Sequence, residues 1–302
     1  MNAIAVLGAG GVGGFVAAAL SRTGADVVVV ARPQTAAAIA AGGLTVRSAV
    51  LGEFVARPRV VTELAQDVDC LLVATKATGL AAAAQRVRAT PALVVPLLNG
   101  LDHVELLRAR FGADHVAAGV IRIESDRPQT GVIVQTSPSC RVDLATADAR
   151  LAPALEALAA VVSSAGIDVH IAHSESQVMW SKLARLCALA LTTSAADRPI
   201  EFVRTDPRWR SALVGAVNET VAVANADGAQ LAAADTMAEL DGAPAELGSS
   251  MQRDLAAGRE PELDAIAGAV LRAGARHGLR CPTVQWLTGR VAERAGSAPD
   301  PG

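Results

Sequence analysis

Apolar residues open the chain in short unbroken blocks, each followed by a stretch of good helix formers. Residues 3–7 form the first block and end at glycines. Residues 15–22 then carry Ala and Leu with few breaks, so the pattern predicts strand, tight turn and helix. Residues 27–31, just after Asp26, are a β-branched run without polar alternation, as a strand buried on both faces requires. Similar runs at 70–74 and 92–98 are trailed by helical stretches over 80–87 and 104–111. Strands alternating with helices predict a doubly wound α/β domain.

Between about 116 and 145 the pattern changes to short β-type runs at 131–135 and 141–144, separated by Pro, Gly and Ser. These are expected to extend the sheet with antiparallel strands. After 168–172 β-type runs nearly vanish, and helical patterns cover 176–195, 209–226, 263–276 and 283–295. The expected organisation is an α/β domain over 1–172, an all-helical domain over 173–295 and a disordered Pro/Gly-containing tail over 296–302.

Composition removes several function classes. With 27 Lys+Arg against 30 Asp+Glu the net charge is −3, which argues against a strongly basic nucleic-acid binder. Tyrosine is absent and only four Phe and three Trp occur, leaving almost no flat rings on which bases stack. No nucleic-acid partner is expected. The first 21 residues are apolar and uncharged, but they lack a basic segment and are interrupted by Gly8, Gly10, Gly11, Gly13 and Gly14, so they do not read as a targeting signal. Nor does any other uncharged apolar run approach the roughly 18 residues a bilayer span needs, and no membrane association is expected. Cys70, Cys140, Cys187 and Cys281 show no short spacing, so reduced thiols that serve packing, in a cytoplasmic protein, are the simplest reading. The five histidines show no metal-ligand spacing, His170 and His173 read as surface residues, and no metal is expected.

The chemistry concentrates after the strands. Gly8, Gly10 and Gly13 fit G-x-G-x-x-G between a strand and a helix. The first glycine makes the turn, the second lets the backbone of Gly10, Gly11 and Val12 approach a pyrophosphate, and the third packs helix on strand. The helix N-terminus then offers unpaired N–H groups to the phosphates. At the end of the second strand, where an acid would bind the ribose hydroxyls of NAD, this chain has Arg32. A guanidinium pairs with a 2′-phosphate, so NADPH is the expected cofactor; a solvated surface arginine is the alternative.

Four further segments resemble the ketopantoate reductase family, NADPH-dependent enzymes that reduce 2-dehydropantoate in pantothenate biosynthesis. Thr75-Lys76-Ala77 is similar to the family's V-K-A/T-K-A turn, whose lysine reaches the active cleft. Leu98-Asn99-Gly100 resembles its Q-N-G turn, where the Asn lies beside nicotinamide and substrate. Trp180-Ser181-Lys182-Leu183 resembles W-x-K-L, which contains the catalytic lysine. Ser249-Ser250-Met251 with Asp254 and Glu262 resembles S-S-M-x-x-D followed by an acid eight residues later. The resemblance implies a Rossmann-type domain followed by a helical substrate domain, a form compatible with a homodimer. It implies that Lys182 is the general acid, with Asn99 and Glu262 as catalytic partners. Lys76 would contact both cofactor and substrate, and Ser250 would bind a substrate carboxylate. The residues alone support part of this. Lys76 and Asn99 follow predicted parallel strands, at the edge where such sheets bind ligands. Lys182 is a charge on a helix that otherwise reads Leu183, Leu186, Cys187 and Ala190, and burial there favours giving up its proton. The plainer readings are a snorkelling Lys182, surface charges at Lys76 and Glu262, and helix-capping serines at 249 and 250.

This sequence departs from the family where the lysine helix carries asparagines four and eight residues on. Here those positions are Leu186 and Ala190, and a further family asparagine is replaced by Leu247. The replacements imply a more apolar substrate pocket. The expected function is an NADPH-dependent reductase of a 2-keto acid, with 2-dehydropantoate foremost. The alternatives are a reductase of a more apolar ketone or imine, and a catalytically silent NADPH-binding sensor or partner protein. A hydroxyacid dehydrogenase of the 6-phosphogluconate dehydrogenase superfamily is disfavoured because its Asn four residues after the lysine is also missing.

Overall fold

The structure, a computed structural model, describes Met1 and residues 3–296. The tail expected over 296–302 lies, past Gly296, outside the described residues. The chain forms two compact units. The first comprises Met1–Leu98 and His103–Val178, the second Asn99–Asp102 and the chain from Met179 onward.

The first seven strands of the first unit are β1 (Ala3–Leu7), β2 (Asp26–Val30), β3 (Leu44–Ser48), β4 (Gly52–Ala56), β5 (Arg59–Val61), β6 (Cys70–Val73) and β7 (Leu93–Pro96). Five of them make a parallel sheet in the order β5-β2-β1-β6-β7. The direction of winding reverses at β1, which puts a ligand-binding crevice at the carboxyl ends of β1 and β6. The unbroken apolar runs are explained by burial on both faces, since Val27–Val30 and Cys70–Val73 are all enclosed.

Beside the sheet stand α1 (Gly11–Arg22), α2 (Pro33–Gly42), α3 (Leu80–Ala84) and α4 (His103–Phe111). The helix expected over 80–87 stops at Ala84 because Val87 is held in a parallel bridge to Leu64. Helix α1 is buried all round from Gly13 to Leu20. One side faces β1 and β2; the other faces a second sheet, β4-β3-β10-β9, completed by β9 (Ser125–Gln129) and β10 (Val132–Gln135).

The strands after residue 116 do not extend the main sheet as expected. Besides β9 and β10 there is a separate three-stranded sheet, β12-β11-β8, built from β8 (Ala118–Arg122), β11 (Arg141–Ala145) and β12 (Asp168–Ile171), with α5 (Ala152–Ser164) between β11 and β12. Among the described residues, a single bridge, Val94 to Val116, links this part of the chain to β7. The cause lies in β7. The amides of Leu93 and Leu97 point to β6, so the alternating set facing outward is Val94 and Pro96, and proline has no N–H to continue a ladder.

The second unit is helical. It contains α6 (Glu175–Ala196, from Met179), α7 (Ile200–Thr205), α8 (Pro207–Ala226), α9 (Ala233–Asp241), α10 (Ser250–Ala256), a π-helical turn over Asp264–Gly268, α11 (Ala269–Arg276) and α12 (Pro282–Arg294). Helix α8 runs through its centre and packs on α7, α9, α11 and α12. Its Glu219 carboxylate accepts the Thr283 and Val284 amides, each at 2.9 Å, and so caps α12. Trp180, Leu183, Cys187, Leu213, Val217 and Leu287 build the core. Among the described residues no helix is long and apolar enough to cross a membrane.

Candidate functional site

In the first unit the site begins at the glycine turn. Gly8 has φ +103°, and a Cβ there would lie 2.9 Å from the Ala74 carbonyl oxygen at the end of β6. At Gly13 a Cβ would come within 2.0 Å of the Gly8 carbonyl oxygen, so helix and strand can touch only through glycine. A Cβ on Gly10 would meet nothing within 4 Å. That open space lies at the N-cap of α1, which has no side-chain cap, and among the five glycines of this turn Gly10 alone is not required by the protein's own packing.

The remaining two glycines have a different reason. A Cβ on Gly11 would lie 2.4 Å from the Ser125 carbonyl oxygen, and one on Gly14 would lie 2.5 Å from Ile133 Cδ1. They admit the second sheet against α1, and Ser125 Oγ donates to the Gly11 carbonyl at 2.9 Å. Val12 is partly buried against the same core.

Arg32 follows the buried Ala31 at the carboxyl end of β2 and is exposed. Its carbonyl accepts from Ala36 N at 2.8 Å, and Pro33 starts α2, so the backbone that carries the guanidinium is fixed. Lys76, beyond β6, is also exposed and begins a 3₁₀ turn over Ala77–Gly79. Next to it Thr75 Oγ1 is buried without a hydrogen-bond partner, while its methyl group faces Gly8. Sequence reading passed over this hydroxyl. Amides at a helix N-terminus, open space over Gly10, no acid in the first turn and an exposed arginine suit a dinucleotide with its phosphates.

The second unit collects the other candidates. Helix α6 changes character along its length. Ser181, Lys182, Arg185 and Leu186 form a half-buried stripe, whereas 187–195 are buried on every side. Lys182 and Leu186 therefore share an accessible face, and Ala190 is part of the core with no accessible surface. The helix is held at this point by Trp180, whose Nε1 donates to Asp227 Oδ2 at 2.9 Å. Burial raises the Asp227 carboxyl, but hydrogen bonds from His277 and Trp180, with the charge of Arg276, outweigh it and hold the group below the usual carboxylate range.

Asn99 and Glu262, 163 residues apart, meet directly: Asn99 Nδ2 donates to Glu262 Oε2 at 3.0 Å. The serine pair divides its duties. Ser249 is buried, caps α10 by accepting from Gln252 N at 3.1 Å, and receives Thr193 Oγ1 of α6 at 3.1 Å. Ser250 is exposed on the first turn. Met251 is a core residue, and Asp254 takes Arg259 Nε at 2.8 Å, which braces the loop leading to Glu262. Leu247 packs against the core of the unit. All four cysteines are buried and unbridged, and burial pushes the Cys140 and Cys187 thiols up to about 12. They are not nucleophiles at neutral pH.

Family models extend these likenesses to most of the chain. The ketopantoate reductase PanE/ApbA model matches residues 4–148, and the model of the PanE/ApbA C terminal matches 176–295. The 2-dehydropantoate 2-reductase of Caulobacter vibrioides is 31% identical over 290 residues, which covers 93% of this chain and 95% of that protein. The chain belongs to the ketopantoate reductase family. It is thus an oxidoreductase of the ketopantoate reductase type with a nicotinamide cofactor. An uncharacterized oxidoreductase of Bacillus subtilis, YkpB, is 27% identical over 93% of this chain and 94% of its own length. Among solved structures, 2-dehydropantoate 2-reductase from Geobacter metallireducens superposes with a TM-score of 0.86 at 27% identity, covering 96% of this chain and 99% of that one. D-mandelate dehydrogenase, solved with NADH and anilino(oxo)acetate, shares the fold with a TM-score of 0.89 at 22% identity, covering 97% and 98%.

Proposed function

We propose that this member of the family reduces 2-keto acids with NADPH, 2-dehydropantoate foremost among them. The observation that carries the reading is the Asn99–Glu262 hydrogen bond, which unites two motif residues distant in sequence in the unit that also holds Lys182. When bound, NADPH supplies the hydride that goes to the substrate's carbonyl carbon. The first unit holds the cofactor: Gly8, Gly10, Gly11, Val12 and Gly13 present the backbone to its pyrophosphate, Arg32 pairs with its 2′-phosphate, and Lys76 lies at the same strand edge. Lys182 gives its proton to the carbonyl oxygen as the alkoxide develops, leaving a 2-hydroxy acid. Asn99, oriented by Glu262, aligns the carbonyl, and the exposed Ser250 hydroxyl takes the carboxylate. Oxidation of NADPH against a panel of 2-keto acids that includes 2-dehydropantoate tests this. Turnover of any of them excludes a silent sensor, and none across the panel overturns the proposal.

The glycine turn makes a separable prediction. Gly10 has extended backbone that alanine adopts, and its Cβ would enter open space. Gly10→Ala keeps or slightly raises Tm, because fewer unfolded conformations are lost, yet weakens NADPH at least about tenfold by filling the phosphate's approach. Gly13→Ala drives a Cβ into backbone and lowers stability by about 1–3 kcal/mol. Thermal melts with and without NADPH read both. A Gly10→Ala protein that binds NADPH as the parent does removes the turn from the cofactor site.

A second reading, a substrate more apolar than 2-dehydropantoate, is favoured by Leu186, which shares the half-buried stripe of Lys182. A hydroxyl buried there without a partner costs about 1–3 kcal/mol. Leu186→Asn is expected to shift the kcat/KM ratio toward 2-dehydropantoate, relative to its deoxy analogue, by about five- to a hundredfold. Ala190 lies beneath this face and has no accessible surface, so on this helix Leu186 carries the effect. A parent enzyme that already prefers 2-dehydropantoate by about a thousandfold refutes the second reading.

A further inference from the structure

The Asn99–Glu262 bond joins two turns that are distant in sequence. Gly100 has φ +92°, and a Cβ on it would lie 2.1 Å from the Ala265 carbonyl oxygen, so the first turn rests directly on the π-helical turn that follows Glu262. An aspartate follows each partner closely: Asp102 stands three residues after Asn99, and Asp264 two residues after Glu262. Both are taken by one side chain. Arg272 of α11 donates through one terminal nitrogen to Asp264 Oδ1 at 2.6 Å and through the other to Asp102 Oδ2, and the second nitrogen also reaches the Asp264 carbonyl oxygen at 3.3 Å.

The helix is shaped for this grip. Asp264, Gly268 and Arg272 are spaced four apart, and the guanidinium lies across Gly268. A Cβ at Gly268 would come within 2.3 Å of Asp264 Oδ1 and 2.8 Å of the Arg272 terminal nitrogen, so a side chain there would push this pair aside. The wider π turn over Asp264–Gly268 sits at the same place, a departure from α geometry that favours functional positions. A planar fork can hold two carboxylates at once in fixed directions, which an ammonium does not.

We propose that Arg272 is a positioning residue: by clamping Asp102 to Asp264 it sets the Asn99–Glu262 hydrogen bond and, through it, the alignment of the substrate carbonyl. The inference rests on the proposed roles of Asn99 and Glu262. Arg272 is about half exposed, with ion pairs open to water, so its removal is a small loss to the fold and a larger one to geometry.

The test is a cycle of Arg272→Met, Glu262→Ala and the double variant, assayed with NADPH and 2-dehydropantoate. Arg272→Met is expected to lower kcat about tenfold or more, with NADPH binding unchanged within twofold and Tm within a few degrees. Arg272→Lys recovers little of the loss. In the Glu262→Ala background, where Asn99 Nδ2 has lost its acceptor, Arg272→Met adds less than about twofold, because the residue acts through the pair already broken. Additive losses, or full rescue by lysine, overturn the proposal. If Glu262→Ala leaves kcat unchanged, the role given to Glu262 fails, and the clamp with it; if Glu262→Ala is impaired and Arg272→Met is not, the clamp alone fails. A crystal structure of Arg272→Met decides without turnover: Asn99 and Glu262 separated supports the clamp, and the pair kept near 3.0 Å refutes it.

Discussion

Lys182→Ala is expected to lower kcat by roughly 10²–10⁴, the range over which a positioned proton donor contributes, while NADPH binding stays as in the parent. The two effects separate because the residues proposed to hold the cofactor's phosphates, the glycine turn and Arg32, belong to the first unit and Lys182 to the second. The fold tolerates the change. Lys182 is half-buried beside Leu186, and α6 is anchored by its neighbours in the motif, Trp180 through Asp227 and Leu183 through the core. Alanine is also the best helix former, so Tm shifts little. Single-turnover measurement of NADPH oxidation, with a parallel fluorescence titration of NADPH, distinguishes lost chemistry from lost binding. A variant with near-parental kcat shows that the lysine is a surface residue whose stem packs on the helix.

The extent to which this could be read from the chain follows the range of the interactions involved. The parallel strands were legible because burial on both faces leaves runs such as Val27–Val30 with no polar residue. The turn at Gly8, Gly10 and Gly13 was legible because two of its requirements are local, the positive φ of Gly8 and the close approach of Gly13 to the Gly8 carbonyl. Gly11 and Gly14 were not separable from it by sequence, since they serve Ser125 and Ile133 of a sheet more than a hundred residues away. Helix α2 escaped attention because an alanine-rich stretch has little amphipathic contrast. The misplacement of the strands after 116 turns on one missing N–H, at Pro96, whose outward direction only the register reveals. In the second unit, Asn99, Lys182 and Glu262 came from resemblance; spacing alone did not bring Asn99 to Glu262. Ser249 fulfilled the plainer expectation of a cap. Arg272 carried no signal at all, for its partner Asp102 is 170 residues away.

Arg32→Ala is expected to weaken NADPH about ten- to a hundredfold and to leave NADH nearly unchanged. Hydrogen bonds to charged groups contribute roughly 1.5–3 kcal/mol, and the 2′-phosphate is the feature that distinguishes the two cofactors. The geometry makes the substitution clean. Arg32 is the N-cap residue of α2, but its side chain makes no capping bond, so its loss takes no support from the helix. Pro33 and the Ala36 amide fix the backbone from which the guanidinium projects, and alanine leaves them in place. Arg32→Asp goes further. A carboxylate at the N-cap accepts free helix amides, which favours the fold, while its charge repels a 2′-phosphate and suits the ribose hydroxyls of NADH. The aspartate variant should therefore melt at the parental temperature or above and reverse the cofactor preference. Dissociation constants for NADPH and NADH on all three proteins check the assignment. Equal losses for both cofactors in Arg32→Ala mean that the arginine touches a part they share, or neither, and the reading of the second strand's end is then wrong.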